Sequence, residues 1–423
     1  MIVEPQQVQN VDLAMTAPPS KSYTHRALIA GALAEGTTEI LGPLDAEDTK
    51  LTAAALRALG VKVDERPGRT VVEGCNGDIP NRDETRLGLR NSGTSLRLLA
   101  SVALLCRHPV VLEGSTRMGE RPIGPLAQAL KELGGTVEFL KRPGYPPLRV
   151  SGNLAGGTVT IDGSASSQFI SSVLLAAPYA AQDVEVILPS PPVSAPYLDI
   201  TADVIQAFGG KLTRQGYGRF LVSRNHRYQG RPYTIEGDYS SASYFFAIPA
   251  ICGGRVTVGN LLPRTAQGDR RFLDALADMG CMVLYCTRSV TVERHGELRG
   301  ITVDMAGSPD TVQTLCMVAA MATSPTTITG IGHLKFKESD RIRETAKRLR
   351  ALGGIVKVGN DRITIRPSPL HGGTIDPADD HRTAMSFAVL GLGIGGVSVT
   401  DAECVNKSFP GFFEKLRKAG VPV

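Results

Sequence analysis

Apolar and polar positions along this 423-residue chain recur with a period of about 70 residues. Six times, apolar residues at helical spacing run into a glycine. The runs are LRALG ending at Gly60, LKELGG near Gly134, IQAFGG near Gly209, LADMG at Gly280, LRALGG near Gly353 and LRKAG at Gly420. A glycine just past the last periodic residue is the left-handed stop of an amphipathic helix, since it has no Cβ to clash there. A short strand such as TVEFL or IVKV follows. Six times, too, a polar cluster precedes an apolar, small-residue stretch. The clusters are Ser20-Lys21-Ser22, Asn91-Ser92-Gly93-Thr94, Ser164 to Gln168, Asp238 to Ser241, Ser308 to Thr311, and Asp379 to Arg382. Ser, Thr, Asp and Asn are the natural N-caps. The stretches behind them, such as THRALIAGALA, SLRLLASVALL, QFISSVLLAA and ASYFFAIPA, are apolar nearly all round and predict helices buried on every side.

The two marks keep step, so each repeat reads strand, buried helix, strand, amphipathic helix, strand, strand. Alternating segments such as TVTI, RVTV, TTIT and RITI supply the strands. The prediction is an α/β protein of six βαβαββ units, three to each of two similar domains. One domain spans 21–234 and the other 1–20 plus 235–423, with a double-crossover hinge near 20 and 235. The sixth unit runs out of chain after VPV. The segment MIVEP is expected to supply its missing strand, which brings the N-terminus into the C-terminal half. A long solenoid fits poorly, because each mark occurs only once in about 70 residues.

Composition narrows the function. Hydrophobic residues make up 42% and charged residues 21%, values of a folded globular protein. The net charge of +5 is spread along the chain with no basic tail, which suits acidic small molecules and argues against nucleic acid, as does the absence of Trp. The seven cysteines include no CxxC pair and predict free thiols in a reducing cytoplasm. MIVEPQQVQN has neither the basic nor the apolar region of a signal peptide, and no apolar run reaches the length of a membrane span.

Candidate chemistry falls at the predicted helix starts. Lys21, Ser22, Arg26, Asn91, Ser166, Ser167, Gln168, Asp310, His381 and Arg382 precede or open the buried helices. Arg117, Glu120, Arg121, Ser194, Tyr197, Lys337, Glu338, Arg341 and Lys407 do so for the amphipathic ones. Equivalent loops of repeated units emerge on one side, so these residues can converge. One helix N-terminus stabilises an anion by only about 0.3–1 kcal/mol when exposed, whereas charge-assisted bonds to Arg and Lys add about 1.5–3 kcal/mol each. Those magnitudes favour several ends and cations acting together on a small, highly anionic ligand in a cleft between the halves. Taken singly, each cluster has a plainer reading. Lys21 could be a surface lysine, Lys337 to Arg341 a solvated charge run, and Asp380-His381-Arg382 a helix cap with a surface histidine. No HExxH, GxxxxGK(S/T), strand-linked GxGxxG or GxSxG is present, and the glycines of GLGIGG fall inside or after an apolar helix.

The motifs PPSKSYTHRAL, LRNSGTSLR, RMGERPIGPL, GSASSQF, PVSAPYLDIT, GSPD, KFKESDR, DHRTAM and NKSFPGFF, in this order, resemble the 5-enolpyruvylshikimate-3-phosphate synthase family over essentially the whole chain. The resemblance implies two inside-out α/β domains. It implies transfer of the carboxyvinyl group of phosphoenolpyruvate to the 5-hydroxyl of shikimate 3-phosphate, with release of phosphate and no metal or organic cofactor. By its pattern Lys21, Ser22, Arg26, Ser166, Ser167, Gln168, Ser194, Tyr197, Asp310, His333 and Lys337 contact shikimate 3-phosphate. Lys21, Asn91, Gly93, Arg121, Gln168, Arg341, Arg382 and Lys407 surround phosphoenolpyruvate. Glu338 is the candidate for proton delivery to the vinyl carbon, and Asp310 or Lys21 for removal of the hydroxyl proton. The expected enzyme is monomeric and cytoplasmic, with no nucleic-acid or membrane partner.

His25 and His333 stand where the family often has asparagine, Gly119 where lysine is frequent, Ala195 where a basic residue is common, and Leu98 where proline often follows the arginine. Gly93 with Thr94 predicts inhibition by glyphosate. Two alternatives are a UDP-N-acetylglucosamine carboxyvinyltransferase and a non-catalytic phosphate-responsive binding protein. The first carries a Lys-Asn pair and a loop cysteine, where this chain has Lys21-Ser22 and no cysteine in RMGERP. The second has no need of Glu338, Asp310 and Lys21 together.

Overall fold

Each predicted repeat becomes a small sheet with the same wiring. The computed structural model describes residues 1–423 and divides into two units, Pro19–Ile235 and Met1–Pro18 with Glu236–Val423. Five sheets have four strands. In each, the first two neighbours are parallel and the remaining pairings are antiparallel. A parallel pair needs a crossover connection. Here the crossover is the apolar helix, as in Thr85–Gly88, helix Gly93–Val102, Val110–Glu113.

At two places the crossover exchanges a strand. Val11–Thr16 pairs in parallel with Gly254–Gly259, and Pro232–Thr234 with Thr37–Leu41. The chain therefore passes between units once after Pro18 and once after Ile235.

The sixth sheet has only Gly373–Ile375 beside Val397–Val399. The segment MIVEP does join it, as a single antiparallel bridge rather than a full strand. Val3 and Val399 exchange backbone bonds of 2.9 and 2.8 Å, and Gln6 N donates to the Pro422 carbonyl at 2.9 Å. The N-terminus thus takes the fourth-strand position, with the last residues beyond it.

The six glycines that close the amphipathic helices all adopt positive φ: Gly60 +91°, Gly134 +101°, Gly209 +92°, Gly280 +106°, Gly353 +89° and Gly420 +86°. The helices that precede them bury one face, whereas Tyr239–Cys252 is buried along its whole length and His381–Ile394 as far as Leu392. Buried helices that touch must satisfy their few polar groups against each other. In residues 19–235, Ser101 and Ser172 hydroxyls meet at 2.7 Å. In the other unit, Ser243 meets Thr314 at 3.2 Å and Thr314 meets Ser386 at 3.5 Å. These partners lie 71, 71 and 72 residues apart, one repeat, so the hydroxyls occupy equivalent positions of successive helices.

Candidate active site

In residues 19–235 the candidate residues gather into four small groups. Lys21 opens the helix Lys21–Leu33, and its Nζ lies 3.1 Å from Oδ2 of Asp48. Asp48 is buried in the first turn of helix Glu47–Ala58, where the helix end favours an anion. Under this pair runs a chain of buried polar groups. His25 Nδ1 meets Thr52 Oγ1 at 2.7 Å, Thr52 meets Ser95 at 2.8 Å, and Ser95 donates to the Asp48 carbonyl at 3.2 Å.

Arg26 forms the second group. It is fully buried, yet its guanidinium bonds here are to neutral acceptors. Nε donates to Thr201 Oγ1 at 2.8 Å, Nη1 to the Ser22 carbonyl at 3.0 Å, and Nη2 to the Tyr197 carbonyl at 3.2 Å and Ser171 Oγ at 3.3 Å. Burial pushes its pKa down to about 10, with Tyr197 and Tyr23 opposing. Ser194, at φ +55°, leads into the helix Pro196–Ala207 that carries Tyr197.

The third group is Arg121 over Gly93. Arg121 Nη1 donates to both the backbone carbonyl and Oδ1 of Asn91, each at 3.2 Å. A Cβ on Gly93 would stand 2.5 Å from Arg121 Nη2 and 2.7 Å from its Cζ. The missing side chain is therefore what lets the guanidinium lie against the start of helix Gly93–Val102.

In the fourth group Arg97 Nη1 donates to Gln168 Oε1 at 2.9 Å, and Gln168 Nε2 donates to Thr94 Oγ1 at 3.0 Å. Ser166 Oγ accepts the Gln168 backbone N–H at 3.2 Å, and Ser167 is buried beside it.

In the unit built on residues 236–423, one guanidinium organises the candidates. Arg341, 2% exposed, donates from Nε to Asp380 Oδ2 at 3.0 Å, from Nη1 to Asp310 Oδ1 at 3.0 Å and from Nη2 to Glu338 Oε2 at 2.8 Å. Arg382 takes the other oxygen of Asp310, Nη2 to Oδ2, at 2.6 Å, and also the Asp310 carbonyl at 3.0 Å and Tyr244 OH at 3.3 Å. Burial opposes the Arg341 charge, but Asp380, Glu338 and Asp310 outweigh it and hold its pKa above the usual value. Burial likewise opposes the Asp380 carboxylate, and Arg341 together with His381 outweighs it, so its pKa lies below the usual range. Asp380 also caps its helix, accepting from Arg382 N at 3.1 Å, and takes Ser339 Oγ at 2.8 Å.

The charge run at 337–341 is thus not solvated at Arg341, and His381 is buried in its helix rather than on the surface. Lys407 ends the short turn Ala402–Lys407 and is buried. The following segment is anchored by Phe409, whose ring lies 5.7 Å from Phe245 and 5.2 Å from Phe412. Lys337 follows the turn Gly332–Phe336, which carries His333. Burial, with Lys337 second, drives the His333 pKa down to about 3, so the imidazole is neutral and can only hydrogen-bond a ligand.

Sequence reasoning missed Asp48 and Arg97. Asp48 follows a glutamate in a helix first turn, where acidic residues are common, so nothing marked it out. Arg97 lies within the segment LRNSGTSLR, but on the helix rather than before it. Asp380 was visible as a cap, though not as the partner of an arginine 39 residues away.

Known proteins share both the sequence and the fold. The sequence model of the family "EPSP synthase (3-phosphoshikimate 1-carboxyvinyltransferase)" matches residues 5–416. A 3-phosphoshikimate 1-carboxyvinyltransferase of Methanoregula boonei is 62% identical over 418 residues, covering 99% of each chain. That of Methanoculleus marisnigri is 61% identical over 421 residues, covering 100% of each. A solved EPSP synthase of Acinetobacter baumannii superposes with a TM-score of 0.83 at 28% identity, over 99% of this chain and 98% of that one.

Proposed function

The chain belongs to the EPSP synthase family, the 3-phosphoshikimate 1-carboxyvinyltransferases, and from that premise we propose how its residues share the reaction. The enzyme transfers the carboxyvinyl group of phosphoenolpyruvate to the 5-hydroxyl of shikimate 3-phosphate and releases phosphate, in the shikimate pathway to the aromatic amino acids.

Chemistry sets the tasks. In the addition, the methylene carbon of phosphoenolpyruvate gains a proton while the 5-hydroxyl oxygen bonds to the central carbon and loses its own. In the elimination, the new methyl group returns a proton, the carbon–oxygen bond to phosphate breaks, and phosphate leaves with the electron pair. Glu338 delivers and removes the proton at the methylene carbon, and Asp310 or Lys21 takes the hydroxyl proton. The observation that carries this reading is that one guanidinium, Arg341, bonds both Glu338 and Asp310, at 2.8 and 3.0 Å. A fixed orientation of proton donor and acceptor is what a two-proton sequence requires.

The cations share the anions. Arg26, Ser22, Ser166, Ser167, Ser194, Tyr197, His333 and Lys337 serve shikimate 3-phosphate together with Lys21, Gln168 and Asp310. Arg121, Asn91, Gly93, Arg341, Arg382 and Lys407 serve phosphoenolpyruvate together with Lys21 and Gln168. Arginine forks suit carboxylate and phosphate, and the same fixed cations stabilise the departing phosphate. Gly93 followed by Thr94 supports inhibition by glyphosate. The two crossovers near 20 and 235 serve as the hinge. The protein acts as a monomer in the cytoplasm, without nucleic acid or membrane. The cysteines form no disulfide, as a reducing compartment requires, and no helix is long and apolar enough to cross a membrane.

Turnover in heavy water tests the proton assignment. Wild type is expected to place solvent deuterium in the methylene group of the product. Glu338→Gln, which keeps a bond to Arg341, is expected to lose most turnover and the label while still binding shikimate 3-phosphate. Unchanged labelling in that variant removes Glu338 from the mechanism.

A further inference from the structure

One helix grips both ends of a single amide. Thr94 and Arg97 stand three residues apart on helix Gly93–Val102, a spacing that puts two side chains on one face. Both bond the side chain of Gln168, the first residue of helix Gln168–Ala176. Arg97 Nη1 donates to Gln168 Oε1 at 2.9 Å, and Gln168 Nε2 donates to Thr94 Oγ1 at 3.0 Å. Arg97 itself is 4% exposed and held from several sides. Its Nη2 donates to the Pro122 carbonyl at 3.1 Å, its Nη1 reaches Ser166 Oγ at 3.4 Å, and its guanidinium lies 5.2 Å from the centre of the Phe169 ring. With those anchors it has little freedom to follow the amide if the amide turns.

A carboxamide rotated by half a turn keeps nearly the same shape, with its oxygen and nitrogen exchanged. The threonine hydroxyl can donate or accept, so Thr94 would hold the amide either way round. A guanidinium has five donors and no acceptor, so only Oε1 can face Arg97. The arginine therefore decides the orientation, and the amide nitrogen is turned toward Thr94 and the start of its helix. One of the two Nε2 protons goes to Thr94 Oγ1, which leaves the other for a ligand oxygen. Phosphate and carboxylate groups bring acceptors only, and an amide facing them with its oxygen would repel them where an N–H binds them.

We propose that Arg97 is a positioning residue that fixes the polarity of the Gln168 amide, so that Gln168 offers an N–H, and not its oxygen, to the anionic groups of the substrates. The proposal rests on the reading of Gln168 as a substrate residue.

A double-mutant cycle on kcat/KM for each substrate tests it. Arg97→Met keeps an apolar stem and removes the donors, which frees the amide to turn. It is expected to lower kcat/KM at least about tenfold. In Gln168→Ala, where no amide remains to be oriented, the same substitution is expected to cost less than about threefold. Arg97→Lys, which keeps one donor for Oε1, should recover part of the loss. A merely structural role makes Arg97→Met cost the same factor in both backgrounds. That result, or wild-type kcat/KM in Arg97→Met alone, overturns the proposal. If Arg97→Met does not fold, Arg97→Lys taken through the same cycle decides in the same way. Gln168→Ala separates the two levels of the reading. Wild-type kcat/KM for both substrates in that variant removes Gln168 from the site, and the proposal with it. A loss there, with the cost of Arg97→Met undiminished, defeats only the role of Arg97.

Discussion

Lys21 Nζ lies 3.1 Å from Asp48 Oδ2, joining the first residue of one helix to the first turn of another across 27 residues of sequence. A lysine is a flexible point charge on four methylenes, and a buried carboxylate is what can fix its position. Asp48 is itself fixed, since its carbonyl accepts from the Ser95 hydroxyl at 3.2 Å.

Asp48→Ala is therefore expected to lower turnover about 10–100-fold, the cost of a reacting group displaced by around an ångström. Thermal stability should change far less than turnover. Steady-state kinetics beside a melting curve checks both, and Asp48→Glu should recover part of the loss. Wild-type kcat in Asp48→Ala contradicts a positioning role.

Gly93→Ala forces a choice, because its Cβ would stand 2.5 Å from Arg121 Nη2. The guanidinium has to shift and weaken its bonds to Asn91. Overpacking of this kind costs about 1–3 kcal/mol, so KM for phosphoenolpyruvate should rise roughly 5–150-fold. KM for shikimate 3-phosphate should stay within about threefold if, as proposed, Arg121 serves phosphoenolpyruvate. Titrating each substrate separately distinguishes this from general damage.

How far the sequence could be read follows from where each signal lives. The six sheets were legible because glycine stops and polar caps are local marks, and one period imposes them six times. Lys21, Arg121, Arg341 and Arg382 were legible because they stand at those marks. Asp48 and Arg97 were not. Each bonds a partner 27 or 71 residues away, Lys21–Asp48 and Arg97–Gln168, and no local pattern marks such a pair. The N-terminal bridge at Val3 was foreseeable only by counting strands in the sixth repeat.

His333 gives a pH signature. Its folded pKa of about 3 lies below the ordinary 6.5, so the stability it contributes is present above 6.5 and is lost as pH falls from there toward 3. At pH 5 the loss is about 2 kcal/mol, from some one and a half pH units at 1.36 kcal/mol each. His333→Asn should remove that part of the acid sensitivity. Urea unfolding of both proteins at pH 8 and pH 5 checks it, and an equal drop in the two would contradict it.

Asp380 holds three groups at once: Arg341, Ser339 and the Arg382 backbone. Asp380→Ala leaves a buried guanidinium short of a partner, a change that costs about 3–5 kcal/mol. Stability and turnover should fall together here, unlike in Asp48→Ala, and denaturant unfolding with the same kinetic assay shows whether they do.

Carboxyvinyl transfer is the reaction on which every residue role depends, and phosphorus-31 resonance follows it directly. With both substrates present, the phosphoenolpyruvate signal should disappear as inorganic phosphate appears one for one with a new phosphorylated product. Neither substrate alone should change. Phosphate released from phosphoenolpyruvate without shikimate 3-phosphate, or no release with both present, would contradict it.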